Sequence, residues 1–183
     1  MRRVNSFVTI GITALFLVHM IYGGFILMGW VKGGNTVFKL LSYFMLVLIL
    51  IHIVIGCILS ARTIGASQKA GVFYIKDNML FLIRRLSGFA MVIFMLDHVL
   101  LFRGRNIEGT YVLNDYTALR LINQILLVVS LLIHLSVNIT PLKLALGLTD
   151  KRNAKTDVLA VLSILMLLSA IAFVVYYFRW IRR

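Results

Sequence analysis

The chain has 183 residues, the length of one ordinary domain, but 61% of them are hydrophobic and only 14% are charged. A soluble domain is about 45–50% apolar and about 25% charged, and the mean hydropathy of this chain is +0.99. These figures exclude a soluble globule and indicate a polytopic membrane protein. The single cysteine, Cys57, excludes a disulfide framework, a CxxC redox pair and a covalently attached c-type haem.

The chain is strongly basic, with 19 Lys and Arg against 6 Asp and Glu and a net charge of +13. In a soluble protein this balance would suggest nucleic acid as a partner. Here the basic residues lie almost wholly between apolar segments, where they set topology and meet lipid head groups. We therefore expect contact with membrane lipid and no nucleic-acid binding.

Five segments are long and apolar enough to cross a hydrocarbon core of about 30 Å. In chain order, the predicted spans are 4–30, 38–62, 79–103, 119–143 and 157–179. The third span carries Arg84 and Arg85 near its start and Asp97 near its end, the only carboxylate inside a span. The expected fold is all-α: one transmembrane domain over residues 1–183, with five helices in a bundle.

The basic residues also predict the orientation of the bundle. Eleven of them fall at the N-terminus, in the second and fourth loops or at the adjoining helix ends, and eight fall on the other side. Because cytoplasmic loops carry the excess of Lys and Arg, we expect a cytoplasmic N-terminus and a C-terminus outside. The expected location is the cell inner (cytoplasmic) membrane, in which the chain is multi-pass.

Four histidines are distributed one to each of the first four spans, at His19, His52, His98 and His134, with none in the fifth span or in a loop. A lone histidine in a span is more often a hydrogen bonder between helices than a ligand. Four placed in this way suit haem, because iron accepts a neutral imidazole from each face of the macrocycle. Two haems therefore need four histidines on separate helices.

The depth of each histidine predicts the pairs. His19 lies 16 residues beyond Arg3 and His98 lies 13 beyond Arg85, so both stand about 20–24 Å above the cytoplasmic edge. His52 and His134 are on helices that descend from the outside, about 10 Å above the inner edge. We expect His19 and His98 to ligate an outer haem iron, and His52 and His134 an inner one. Zinc is a weaker interpretation, since its four ligands must lie at one depth.

An offset of 82 residues aligns the segment around His52 with that around His134. The helices before these two also match, since a pair of arginines precedes His19 and another pair precedes His98. The chain therefore reads as two helical hairpins and an extra fifth helix. Gly23 and Gly56 each follow a histidine by four residues, on the same helix face. A missing side chain there would let a haem plane approach, although glycine is also common where helices pack.

The run Arg84-Arg85-Leu-Ser-Gly-Phe, with a histidine thirteen residues after Arg85, resembles the cytochrome b anchor subunit of succinate dehydrogenases and fumarate reductases. The five-helix, two-haem branch is the most similar, although its ligand-free helix is the third and here it is the fifth. The resemblance implies His19, His52, His98 and His134 as axial ligands. It also implies Arg85 and Ser87 as contacts of haem propionates or quinone. Position alone places Arg84 and Arg85 where two haem propionates need cations, although arginines at a cytoplasmic boundary are usually topology anchors.

These observations predict a dihaem cytochrome b that carries electrons between a quinone and a partner protein. The expected quinone is menaquinone or ubiquinone. Flavoprotein and iron-sulfur subunits are the expected partners on the cytoplasmic side, because the loops are too short for such folds and one cysteine cannot ligate a cluster. The anchor of a formate dehydrogenase or hydrogenase is an alternative within cytochromes. A haem-free transporter or assembly factor, with histidines as proton relays, is an alternative of another class.

Asp97 is the candidate for proton exchange with a quinol. A carboxylate at that depth costs several kcal/mol unless it is neutral or paired. One interpretation is a structural bond to Arg103, and the other is a relay for the protons that quinone chemistry consumes and releases.

Overall fold

The computed structural model describes residues 1–71, 79–107, 110–112, 114–145 and 154–181. Five helices account for most of them: α1 Arg2–Met28, α2 Thr36–Lys69, α3 Met79–Phe102, α4 Ala118–Ala145 and α5 Ala154–Ile181. Each of the five is long and apolar enough to cross a membrane. The prediction of an all-helical chain with five helices able to span a membrane is confirmed for the described residues.

A short hairpin adds strand structure that the sequence did not predict. Strand β1, Arg105–Ile107, pairs antiparallel with β2, Thr110–Val112, in the connection between α3 and α4. Gly104 stands between α3 and β1 with a φ of 59°, a conformation that glycine adopts without steric cost. The hairpin therefore follows a glycine turn at the end of α3.

The ends of α1 and α2 depend on local capping. At Gly29 the backbone is left-handed, with a φ of 76°, and its amide donates to the Ile26 carbonyl to close α1. The side chain of Asn35 accepts a hydrogen bond from the Phe38 amide and begins α2. Helix α2 then continues to Lys69, beyond the predicted end at residue 62, because a helix need not stop where the chain leaves hydrocarbon.

The helices pack as two hairpins closed by the fifth helix. Helix α1 packs against α2, α3 packs against α4, and α5 packs against both α1 and α4. Val128, Met166 and Phe173 form the buried centre of this packing. We call the end that holds Met1, Lys69 and Met79 the Met1 side, and the opposite end the Trp30 side.

In the described part of the chain, the backbone of the α1–α2 hairpin comes close to that of the α3–α4 hairpin only where α1 meets α4. Among the described residues, no Cα atom of α2 lies within 8 Å of α3 or α4, and none of α1 lies within 8 Å of α3. Helices in direct contact have axes 8–10 Å apart. The α1–α2 hairpin is therefore separated from α3 by a wider gap, closed on one side where α1 meets α4 and α5.

We expect Met166→Ala to weaken the packing of α5, because Met166 is only 2% exposed at the bundle centre. Truncation of a buried methionine costs about 2–5 kcal/mol. Leu167→Ala is the matched control, since Leu167 is 61% exposed on the same helix. Thermal unfolding of the detergent-solubilised chain measures the difference, and equal melting temperatures for the two variants would show that α5 does not pack through Met166.

Candidate functional site

His19 of α1 and His98 of α3 face each other across the gap, near the Trp30 side. Their ring centroids are 6.0 Å apart and the ring planes are inclined by 66°. Both side chains are half-buried. We call these two residues the outer pair.

His52 of α2 and His134 of α4 form a second pair, the inner pair, in which the imidazoles lie close enough to interact electrostatically. His134 contacts Ser87 of α3, eleven residues before His98. At 1.5 Å per residue, this places the two pairs about 16 Å apart along α3. Four histidines from four helices thus make two pairs at two depths.

Three of the histidines bond a hydroxyl whose hydrogen is already committed to its own helix. The Nδ1 atoms of His19, His134 and His52 lie 3.0, 3.2 and 3.5 Å from the hydroxyl oxygens of Ser42, Ser87 and Thr9 respectively. Each hydroxyl donates to the backbone carbonyl four residues earlier, at 2.9, 2.7 and 2.8 Å in the same order. A hydroxyl has one hydrogen. While it donates to that carbonyl, the hydroxyl accepts from the imidazole, and the imidazole proton is then on Nδ1.

The fourth histidine, His98, bonds the amide oxygen of Gln124 at 2.8 Å. An amide oxygen only accepts, so the proton of His98 is on Nδ1 as well. Gln124 is completely buried on α4, and its amide nitrogen donates to Asp97 Oδ2 at 3.2 Å. All four imidazoles are therefore in the tautomer that leaves the lone pair on Nε2.

This tautomer is the one that suits a metal ligand. A ligating imidazole binds through one nitrogen and donates its other N–H to a carbonyl, carboxylate or hydroxyl, which fixes the ring. Among the described residues, the side-chain hydrogen bonds of the four rings all use Nδ1. Each Nε2 is left with an unshared electron pair.

The donor set fits haem better than a bare metal ion. The described part of the chain holds no group of three or more His, Cys, Asp or Glu side chains that could bind a metal. A haem iron needs only two axial ligands from the protein, because the macrocycle supplies the other four. Two imidazoles on helices separated by a gap match this requirement at each depth.

The predicted site residues Arg84 and Arg85 have different surroundings. Arg84 Nε donates to the carbonyl of Val137 in α4 at 3.0 Å. Pro141, four residues later, has no N–H to give that carbonyl. Arg84 thus satisfies a backbone group that a proline inside the helix leaves open.

Arg85 points toward the gap and lies beside the inner pair. Its guanidinium carbon is 5.1 Å from the ring centroid of Phe81, and its charge reaches His52 and His134. A Cβ on Gly56 would lie 3.7 Å from the Arg85 guanidinium, an ordinary van der Waals distance, so the arginine side chain reaches α2 at this glycine. At Gly23 a Cβ would meet nothing within 4 Å.

The Ser-Gly of the Arg-Arg-Leu-Ser-Gly-Phe run contacts the inner pair directly. Ser87 accepts from His134, and a Cβ on Gly88 would come within 3.3 Å of the His134 ring. A contact of 3.3 Å is tight, so His134 packs against α3 through the space that Gly88 leaves. Both residues of the motif therefore position one imidazole.

Asp97 bonds to α4. Its Oδ2 atom accepts hydrogen bonds from Gln124 and, at 3.4 Å, from Asn123. Among the described residues, Oδ1 accepts no hydrogen bond. One oxygen of the carboxylate is therefore hydrogen-bonded to two amides, and the other can accept from a further partner.

An aromatic cluster borders the outer pair on the Trp30 side. The ring of Phe102 is 5.0 Å from that of His98, 6.2 Å from that of Tyr116 and 6.1 Å from that of Phe173. Among the described residues, the buried hydroxyl of Tyr116 has no hydrogen-bond partner. Burial raises the pKa of Tyr116 above its ordinary value, and Tyr176 and Asp97 add to this effect.

Sequence reasoning missed the four partners that orient the rings. Ser87 was identified only as a contact of propionate or quinone, and Thr9, Ser42 and Gln124 were not singled out. A polar residue inside a span is a usable signal, because it needs a partner in the protein. Which histidine it meets depends on how the helices are rotated, and that is fixed by packing.

Comparisons with known proteins do not extend this description. The chain matches no protein-family model, no curated protein and no solved structure. The geometry of the two pairs therefore carries the functional conclusion.

We expect Ser87→Ala to destabilise the chain by about 1–3 kcal/mol, because it removes the hydroxyl that accepts from the His134 N–H in a half-buried position. Ser136→Ala is the matched control, since Ser136 on the same helix as His134 also donates to its own helix, at Leu132. Thermal unfolding in detergent compares them. Equal destabilisation by the two variants would show that the bond to His134 contributes nothing.

Proposed function

We propose that this chain is a dihaem cytochrome b that anchors an oxidoreductase complex in the membrane. It transfers electrons between a quinone and flavin and iron-sulfur partner subunits, as in a succinate:quinone oxidoreductase or quinol:fumarate reductase. The observation that carries the proposal is the set of four imidazoles, two at each depth, all with a free electron pair on Nε2.

The two imidazoles of each pair would hold a b-type haem, which would carry one electron at a time. The residues of the chain hold and orient it. His19 and His98 are the ligands at the outer pair, and His52 and His134 are the ligands at the inner pair. The hydroxyls of Thr9, Ser42 and Ser87 and the amide of Gln124 would hold the rings in the ligating tautomer.

Arg85 supplies positive charge beside the inner pair, where the carboxylates of a haem or the carbonyl of a quinone would be stabilised. Arg84 offers less for this role, since its Nε is bonded to α4. Asp97 is the proposed site of proton exchange with menaquinol or ubiquinol, through the oxygen that the amides leave free.

A haem-free proton relay is less well supported. A relay needs a continuous chain of groups that can pass a proton on. The hydroxyls of Thr9, Ser42 and Ser87 each end on a backbone carbonyl of their own helix. A proton path from His19, His52 or His134 through its hydroxyl partner therefore ends at a backbone carbonyl.

We propose a cytoplasmic N-terminus, an outside C-terminus and the inner (cytoplasmic) membrane as the location, on the distribution of basic residues. The partner subunits would dock on the Met1 side. Of the basic residues expected there, Lys76, Lys151 and Arg152 lie outside the described residues, and Lys69 ends α2 on that side. A formate dehydrogenase or hydrogenase anchor would share the two-haem site and differ in the subunits that co-purify.

We expect the reduced, purified protein to show a b-type haem spectrum with two haems per chain, read by pyridine haemochrome and iron content. His19→Ala and His98→Ala should each remove the same haem, and His52→Ala and His134→Ala should each remove the other one. Circular dichroism checks that each variant keeps its helices. A spectrum without haem overturns the function, and loss of the same haem from His19→Ala and His52→Ala overturns the pairing.

We expect Asp97→Asn to retain both haems and to reduce quinone-linked turnover at least about tenfold, since an amide cannot relay a proton as a positioned carboxylate does. Turnover is measured in the complex with a water-soluble quinone. Asp115→Asn is the control, because Asp115 is an exposed acid on the same side of the bundle. Unchanged turnover in Asp97→Asn would remove Asp97 from the quinone chemistry.

A further inference from the structure

His98 differs from the other three histidines in the group that fixes its proton. Ser42, Ser87 and Thr9 can only accept, because each gives its single hydrogen to its own helix. Gln124 has both an oxygen that accepts and an NH₂ that donates. With its amide turned over, Gln124 would donate to His98 Nδ1 and place the proton of the ring on Nε2.

The surroundings of Gln124 remove that second orientation. A carboxylate accepts and does not donate, so Asp97 Oδ2 requires the NH₂ group of Gln124 on its side. The amide oxygen is then directed at His98, 2.8 Å from Nδ1. Gln124 is 0% exposed, so water cannot supply an alternative partner for a turned amide.

We propose that Asp97 is a positioning residue for His98: by orienting the amide of Gln124, it holds His98 in the tautomer that leaves Nε2 free to bind iron. This inference deepens the proposed function and rests on it for its redox readout. The path runs from Asp97 Oδ2 through the Gln124 amide to His98 Nδ1, and it consists of two hydrogen bonds between α3 and α4. Asn123 adds a second donor to the same carboxylate oxygen.

The chain of bonds also gives His98 an electronic character that the inner pair lacks. A carboxylate that polarises the amide makes the amide oxygen a stronger acceptor, and the imidazole a stronger electron donor to iron. Loss of the carboxylate should therefore favour the reduced iron at the outer pair. Ligation at the inner pair does not involve Asp97.

The experiment is a double-mutant cycle on the full-length purified chain. Wild type, Asp97→Asn, Gln124→Leu and the double variant are titrated with reductant while the absorption of each haem is followed. Asp97→Asn should raise the midpoint potential of the outer haem and leave that of the inner haem unchanged. In the Gln124→Leu background most of that shift should disappear, because the two residues act through one path.

Asp157→Asn is the charge control, since Asp157 lies in the first turn of α5, and it should shift neither haem. A shift of equal size in both backgrounds would mean that Asp97 acts on the haem directly and would overturn the proposal. No shift of the outer haem in Asp97→Asn would overturn it as well.

If the chain purifies without haem, the proposed function fails and the inference is tested separately. ¹⁵N NMR of histidine-labelled protein reads the tautomer, with the His98 signals assigned by their loss in His98→Ala. Wild type should show His98 protonated on Nδ1, and Asp97→Asn should show a second population protonated on Nε2. An unchanged tautomer in Asp97→Asn would overturn the positioning role.

Discussion

A polar side chain inside a bilayer must find its hydrogen-bond partner within the protein, and most of the site follows from this constraint. Each serine or threonine next to a histidine satisfies its own hydrogen on the carbonyl four residues earlier. This leaves the hydroxyl oxygen as an acceptor only. With the hydroxyl oriented in this way, the hydrogen bonds of His19, His52 and His134 run from ring to hydroxyl, which places the proton of each of these rings on Nδ1.

The same constraint explains two features that look unrelated in the sequence. Pro141 interrupts the backbone bonds of α4, and Arg84 from α3 donates to the carbonyl that it leaves open. Arg85 from α3 extends to α2 and lies beside Gly56. The two adjacent arginines at the start of α3 thus contact two different helices. Arg84 donates a hydrogen bond to α4, and Arg85 lies against α2.

The fold could be predicted largely from the sequence, because charge-free apolar runs of about twenty residues have few alternatives to spanning helices. The histidines could be found for the same reason: ionisable groups are rare in hydrocarbon. The partners of Asp97 could not be predicted, since a bond to Arg103, directly after α3, and bonds to Asn123 and Gln124 on α4 fit its position equally well. Only the rotation of α4 against α3 decides between them, and small packing differences set that rotation.

The contact between α1 and α5 has a consequence for how the molecule is made. Arg179 donates to the carbonyl of Leu27, a bond that joins residues 152 positions apart, and its guanidinium fills the space beside Gly29. Each hairpin can form as soon as its own two helices have left the ribosome. Closure of the bundle must wait for nearly the whole chain, so a nascent chain halted before α5 exposes the face of Val128 to lipid and to quality-control proteases.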